Sequence, residues 1–351
     1  VTSKKTRRVT SKQVAQHAGV SQTTVSFVLN NVEDANISAE TKARVLHAAR
    51  ELNYIPDVAA QSLARGRSNN IAFVLAKPHP QVFMDEYFTS LLTGMTSVAR
   101  ANGFRIMVEL VESGELAQVY TNLLRSKEAA GVIVNHNGIS ERDLAHIVAA
   151  GEDNLPIVST VHLHPSVYSA QVDKMNGVRM MVHHLLSLGH RRIACISYAP
   201  QGNDHADQRI AVIREMLAEV GCPLDERLVG YGAFDPDTGY NIMQTLLQVR
   251  PLPTAVFALN DMMAFGALRA IYECRLRVPQ DIAVVGFDDI RVAQFITPPL
   301  TTIHEPDIEH GRLAAELLMA LMRGEAPTPR QIMLDTRLIV RESCGGQLQQ
   351  N

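Results

Sequence analysis

From residue 71 onward the sequence alternates short β-branched or apolar runs with amphipathic stretches, and this rhythm constrains the fold more than any other feature. Residues 71–76 precede a helical stretch over 87–102, residues 104–110 precede 115–126, and residues 132–135 precede 141–150, with a further run at 157–161. After Gly177 the rhythm resumes: a helix to Leu188, then runs at 193–197, 228–231, 255–259 and 282–287 separated by helices over 207–220, 237–248 and 261–274. Strands that are apolar on both faces and separated by helices form parallel sheets covered on both sides. About nine such strands are too many for one modest sheet, so the spacing predicts two α/β lobes.

Residues 10–56 follow a different grammar, that of three short helices. Thr10-Ser11-Lys12-Gln13 is a capping box, in which the Thr10 hydroxyl accepts from the Gln13 amide and the Gln13 side chain reaches back. Val14, Ala15 and Ala18 share one face, and Gly19 supplies the left-handed residue that stops the helix. Ser21 caps a second helix that buries Val25, Val28 and Leu29 and ends at Asn30 and Asn31. Ser38 caps a third, with Glu40 near its positive end and Val45, Leu46, Ala49 and Leu52 on its inner face. Pro56 marks a break; residues 57–65 read as a short Ala-rich helix with little to bury against, and 66–70 as a linker. The expected domains are a head over 1–56, a hinge helix and linker over 57–70, a body over 71–343 and a tail over 344–351.

The formal charge of −3 hides an asymmetry. Residues 1–70 carry ten Lys/Arg against five Asp/Glu, leaving 23 basic and 31 acidic residues for the rest. The first thirty residues hold five bases and no acid. A basic head on an acidic body directs only the head to a polyanion.

Gly19-Val20-Ser21 between two short helices is the helix-turn-helix signature, in which the second helix presents its first turn to the major groove. The outward positions are Gln22, Thr23, Ser26 and Phe27. Glutamine pairs bidentately with adenine, and Ser or Thr reaches base edges or phosphates. A three-helix bundle that meets protein partners is the competing reading; a polar, acid-free outer face favours DNA.

Other function classes find little support. There is no G-x-S-x-G elbow, Walker loop, G-x-G-x-x-G after a strand or H-E-x-x-H. His162 with His164 and His183 with His184 are the histidine clusters, and surface or satisfied core histidines account for them better than a metal site. No cofactor or metal is expected. Cys195, Cys222, Cys274 and Cys344 are scattered, which fits a reducing cytoplasm better than disulfides or a zinc site. No apolar run approaches the roughly 18 residues of a membrane span, and residues 1–12 are polar and basic, so neither membrane insertion nor a secretory signal is expected. An exported sugar-binding protein would need such a signal and no basic head.

Several stretches carry a specific resemblance: VTSKQVAQHAGVSQTTVSFVLN at 9–30, ISAET at 37–41, AARELNYIP at 48–56, AAQSLAR at 59–65, VPQDIAVVGFDDI at 278–290 and PLTTI at 299–303. Together they resemble the lactose/galactose repressor family of bacterial transcription regulators, across nearly the whole chain. The resemblance implies an α/β protein: an all-α helix-turn-helix head on a periplasmic-binding-protein-like body of two doubly wound parallel-sheet lobes. It implies a repressor that binds a palindromic operator as a homodimer under control of a small-molecule effector. Gln22 and Thr23 match the leading base-reading positions and Phe27 a third. The family often has Arg at that third position; Phe27 cannot hydrogen-bond, and either packs on a thymine methyl or sugar or closes the face toward the hinge. Thr10, Ser11, Ser21, Asn30 and Tyr54 also match DNA-contacting positions. Leu63, flanked by Ala60, Ala64 and Arg65, matches the hinge leucine that wedges into the minor groove; the competing reading is a staple to the body.

In the body the resemblance implies three crossover strands between the lobes, with ligand held at the carboxyl ends of the strands. It assigns 71–170 and 302–330 to the N-lobe, and 171–300 and 331–343 to the C-lobe. Expected effector residues are Tyr87, Phe88, Asn135, Asp173, Asn176, Arg209, Phe234, Asn260 and Asp288. Phe88 and Tyr87 have burial at a helix start as the alternative, while Asp261 and Asp289 read as helix caps. The resemblance implies a sugar or sugar phosphate, with a nucleobase or nucleoside next. The tail lacks heptads, which argues against a coiled-coil tetramer.

Overall fold

The structure is a computed structural model that describes residues 9–29, 36–55, 68–76, 85–112, 115–126, 128–136, 141–152 and 155–346. It divides into two compact units, Val1–Asn69 and Asn70–Asn351. The hinge segment 57–65, and with it Ala60, Leu63, Ala64 and Arg65, lies outside the described residues, as do Asn30 and the end of the tail.

In the first unit, α1 (Ser11–Ala18), α2 (Gln22–Leu29) and α3 (Ala39–Glu51) enclose a small core of Val14, Ala15, Ala18, Val25, Val28, Val45, Ala48 and Ala49. The capping box forms at Thr10, and Gly19 ends α1 at φ 64°. Ser38 caps α3 by accepting from the Thr41 amide. Leu46, expected on the inner face, is exposed instead. Ala48 takes the inner position three residues after Val45, because a helix turns about 100° per residue and Leu46 falls outside that stripe.

The second unit is built on two parallel sheets. The first has the order β11-β5-β4-β3-β1-β2, where β1 is Asn70–Ala76, β2 Arg105–Val111, β3 Gly131–His136, β4 Ile157–Ser159, β5 Tyr168–Val172 and β11 Gln331–Leu334. Alternate residues of β1 serve opposite faces, as the two-residue period of a strand requires. Ile71, Phe73 and Leu75 pack with α4 (Glu86–Ala101) and α11 (Asp307–Met322), while Ala72 and Val74 pack with α5 (Leu116–Ser126) and α6 (Glu141–Glu152).

The second sheet has the order β7-β6-β8-β9, from β6 (Ile193–Ser197), β7 (Val229–Tyr231), β8 (Ala255–Ala258) and β9 (Ala283–Val285). Around it pack α7 (Lys174–Ser187), α8 (Asp204–Glu219), α9 (Pro236–Leu246) and α10 (Asp261–Glu273). A small antiparallel pair, β10 (Thr302–His304) with β12 (Arg337–Ile339), lies against α7.

The lobe boundaries differ from the expected ones. Residues 168–172 and 331–334 belong to the first sheet, so the crossings fall at 172–174, 304–307 and 334–337. Residues 302–304 side with the second lobe, where Thr301 bridges Val285 and His304 bridges Asp288. Strands β5, β10, β11 and β12 are short and partly polar, so none stands out as an apolar run.

Helix pairs cross closely at glycines. A Cβ on Gly94 of α4 would sit 1.9 Å from the Ile308 carbonyl oxygen of α11, and one on Gly311 of α11 2.1 Å from the Leu91 carbonyl oxygen. The contact fixes where the first turn of α4 reaches the sheet edge.

Candidate functional site

In the head, α2 is the helix expected to face DNA. Gln22, Thr23 and Phe27 are exposed on it, Ser26 is half-buried, and the helix carries no acid. Ser21 holds its start, accepting from the Thr24 amide at 3.1 Å. Gln22 does not swing freely: its Nε2 donates to Ser11 Oγ at 2.7 Å, which ties the first residue of α2 to the first of α1. Thr10 is exposed and Ser11 half-buried beside it, whereas Tyr54 packs on the head core. His17 Nε2 lies 2.7 Å from Glu51 Oε2, joining α1 to the end of α3; that hydrogen bond holds the Glu51 carboxyl below its ordinary range.

In the second unit a cavity of about 490 Å³ opens between the lobes, at the carboxyl ends of both sheets. That location follows from topology, because parallel strands aim their following turns at one edge. The first lobe supplies the start of α4. Asp85 caps the helix, accepting from the Tyr87 amide at 3.0 Å, and sets Tyr87 and Phe88 on the cavity wall with ring centroids 4.9 Å apart, edge to face. Phe88 lines the cavity and also belongs to the core under β1. Asn135, at the end of β3, donates to the Tyr87 hydroxyl at 3.0 Å and to Thr160 Oγ1 at 2.8 Å.

The second lobe supplies the charge. Arg209 on α8 is 4% exposed; its Nη1 donates to the Leu259 carbonyl at 2.9 Å, and its guanidinium lies 4.9 Å from the Tyr198 ring and 4.1 Å from that of Phe287. Phe234, at φ 61°, brings its ring within 5.0 Å of Tyr198. Asp288 follows β9 at φ 115°, a backbone conformation that side-chain-bearing residues rarely adopt and that here turns its carboxyl to the cavity. The Asp288 carboxyl has no hydrogen-bond partner among the described residues. Burial, and then the Glu305 carboxylate nearby, push it well above its ordinary range.

Other expected residues stand differently. Asp173 lines the cavity while capping α7; Asn176 gives its amide to that cap and is not on the cavity wall. Asn260 lines the cavity but spends Oδ1 as the cap of α10, accepting from the Met263 amide at 2.8 Å. Asp261, expected as that cap, is instead fully buried and accepts from the Thr302 hydroxyl at 2.7 Å and the Ile290 amide at 3.0 Å; burial pushes it up to about 7. The cap falls to Asn260 because its extended backbone precedes the first helical residue. Asp289 caps nothing: it pairs with Arg341 at 2.6 Å and His304 at 3.0 Å, because its backbone at φ 58° turns the carboxylate toward β10 and β12.

Sequence reasoning missed Lys174 and Glu305, which form an ion pair at 2.5 Å beside the cavity. The Lys174 ammonium also lies 4.6 Å from the Tyr87 ring centroid. Burial lowers the lysine, and Glu305, Tyr87 and Asp307 together more than offset it, leaving the pKa raised. Each residue sits at a lobe crossing, and correct crossings would have pointed to both. Among the described residues, no group of three or more His, Cys, Asp or Glu could hold a metal ion, and no helix is long and apolar enough to cross a membrane.

Comparison with known proteins matches residues 10–57 to the model of bacterial regulatory proteins of the lacI family, and residues 182–344 to a periplasmic binding protein-like domain. The chain is 32% identical over 350 residues to the HTH-type transcriptional regulator CelR of Thermobifida fusca, covering 96% of this chain and 98% of the relative. A solved CelR–cellobiose complex matches with a TM-score of 0.69 at 32% identity, covering 96% of this chain and all of the other. A Lac repressor dimer bound to operator and an anti-inducer matches with a TM-score of 0.83 at 30% identity, over 96% and 99% of the two chains.

Proposed function

The chain belongs to the lacI family of bacterial regulatory proteins, and from that membership we propose that it reads a palindromic operator through α2 and senses an uncharged sugar in the cleft between its lobes. It is a DNA-binding transcriptional regulator and not an enzyme. As a regulator of bacterial genes it works in the cytoplasm. One head covers only half of a palindrome, so the working form is a homodimer whose twofold axis matches that of the DNA.

The observation that carries the effector reading is the pairing of the Asp288 carboxyl, without a hydrogen-bond partner among the described residues, with aromatic walls in one cavity. A sugar offers apolar ring faces to Tyr87, Phe88, Tyr198 or Phe234 and vicinal hydroxyls to a carboxylate and a guanidinium. Asn135 and Arg209 orient the hydroxyls from opposite lobes, so ligand contacts are complete only when the lobes approach. A ligand acts through its differential affinity for the closed and open body.

The DNA reading is tested by selecting genomic fragments with the full chain: a single palindromic site with steep salt dependence is expected, and indifference to sequence would sink it. The effector reading is tested by thermal shift of the full chain against neutral sugars, sugar phosphates and nucleosides. A nucleoside that stabilises the chain where sugars do not would replace the sugar reading.

A further inference from the structure

The charges around the cleft are unbalanced. Asp85 and Asp173 line it with the cations Lys174 and Arg209, and Glu305 lies close behind, while burial raises the carboxyls of Asp288 and Asp307 well above their ordinary range. Both cations face Glu305: Lys174 at 2.5 Å, and Arg209 through Nη2 at 3.7 Å, within ion-pair reach but beyond a hydrogen bond. Glu305 is 3% exposed, and its Oε1 accepts no hydrogen bond among the described residues, nor does the buried Nε of Arg209 donate one. Glu305 is therefore held there for its charge and its Lys174 bond, facing the guanidinium without binding it tightly.

We propose that Glu305 is a specificity-determining residue that cancels the field of Arg209 and so bars phosphorylated and acidic ligands from the cleft, leaving it to uncharged polyols. The inference rests on the reading of the cleft as the effector site. A lone buried guanidinium between two aromatic rings would be a strong anion receptor, since arginine matches phosphate and carboxylate with a planar fork. With a carboxylate behind it in a poorly screened interior, the anion meets repulsion from Glu305 along with attraction from Arg209. Burial first, and the Glu305 carboxylate next, raise both Asp288 and Asp307. Hydroxyl groups have no net charge to be repelled, and Arg209 still has donors for them.

Selenate, an anion visible by anomalous scattering, tests this on the full chain as wild type, Glu305→Gln and Glu305→Asp. Glutamine keeps the shape and an acceptor for Lys174 but removes the charge. Crystals soaked in selenate are expected to show no anomalous density beside Arg209 in wild type or Glu305→Asp, and clear density in Glu305→Gln. Calorimetry of Glu305→Gln is expected to show a saturable selenate site at least about tenfold tighter than any site of the wild type in the cleft. Density beside Arg209 in the wild type overturns the proposal, as does its absence from a folded Glu305→Gln. Where Glu305→Gln does not fold, Glu305→Ser removes the same charge and carries the same two outcomes. Sugar binding is measured separately, so the effector reading can fail while charge selection stands, or the reverse.

Discussion

Glu86, in the first turn of α4, places both carboxylate oxygens 3.2 Å from the backbone amide of Arg291 on the opposite lobe. Arg291 opens a short 3-10 turn whose own N-cap, Ile290, supplies no side-chain bond. The cap comes from across the cleft instead, and it exists only while the lobes are together. Glu86 is half-exposed, so the bond contributes on the order of 1 kcal/mol, roughly a fivefold bias toward closure. Glu86→Ala is expected to enlarge the unliganded chain in small-angle scattering and to weaken effector binding by a similar factor. An unchanged profile and affinity would show that the bond follows closure without favouring it.

The α4–α11 crossing sets where those cleft residues stand. Gly94→Ala would put a methyl group 1.9 Å from the Ile308 oxygen and 2.6 Å from the Arg312 amide nitrogen, and backbone cannot retreat from it as a flexible side chain could. Overpacking of this kind costs about 1–3 kcal/mol. Gly94→Ala is expected to lower Tm by several degrees, roughly 2–4 °C per kcal/mol for a domain of this size, and to weaken effector binding as α4 shifts. Gly151→Ala, in α6 where a Cβ meets nothing within 4 Å, is the control: it should leave effector binding unchanged and raise Tm slightly through the helix preference of alanine, about 0.5–1 kcal/mol.

The amino-acid sequence determines some of these relationships locally and others only through the fold. Local chemistry was legible wherever it is enforced by neighbours in the chain: the Thr10 capping box, the αL Gly19 and the parallel-sheet rhythm all need only adjacent residues. Arg209 and Asp288 could be placed beside the cleft because turns after parallel strands converge. Lys174 with Glu305 could not be found that way, since 131 residues separate them. That Asn260 and not Asp261 caps α10 was hidden for a similar reason: either can cap a helix, and only Thr302, 41 residues on, makes a buried site for Asp261.

Asp261 also gives the body a pH dependence. Its ordinary value is 3.8 and burial pushes it up to about 7, so the folded chain holds this proton more tightly than the unfolded chain. Between those values the unfolded state binds fewer protons, and stability falls as pH rises, levelling off above about 7. The group is fully buried, and the shift corresponds to at most about 4 kcal/mol. Asp261→Asn mimics the protonated form. Urea unfolding near about pH 4.5 and about pH 7.5 should show wild type losing stability relative to the variant at the higher pH. Parallel pH profiles for the two proteins would count against a raised Asp261. The comparison between them removes the contribution of Asp307, which shares its direction, whereas Asp288, raised in part by Asp261, shifts down in the variant.

The bond from Gln22 to Ser11 makes a prediction about reading. A glutamine amide has two donors and an acceptor oxygen. Ser11 takes one donor at 2.7 Å, and adenine needs only one donor and the oxygen, so the bidentate pairing remains available with the side chain already aimed. Gln22→Ala should therefore cost about 1–3 kcal/mol at one base pair of the half-site and relax selectivity there. Ser11→Ala leaves every atom of the reading group in place but frees its rotors. Fixing a glutamine that was previously held costs on the order of 1 kcal/mol, so operator affinity should fall roughly three- to tenfold. Binding to unrelated DNA should hardly change, because that is governed by phosphate contacts and salt. Fluorescence titration of each variant on the selected operator and on scrambled DNA, at two salt concentrations, separates the cases. If Ser11→Ala weakens both DNAs equally, Ser11 acts through a phosphate and not through Gln22.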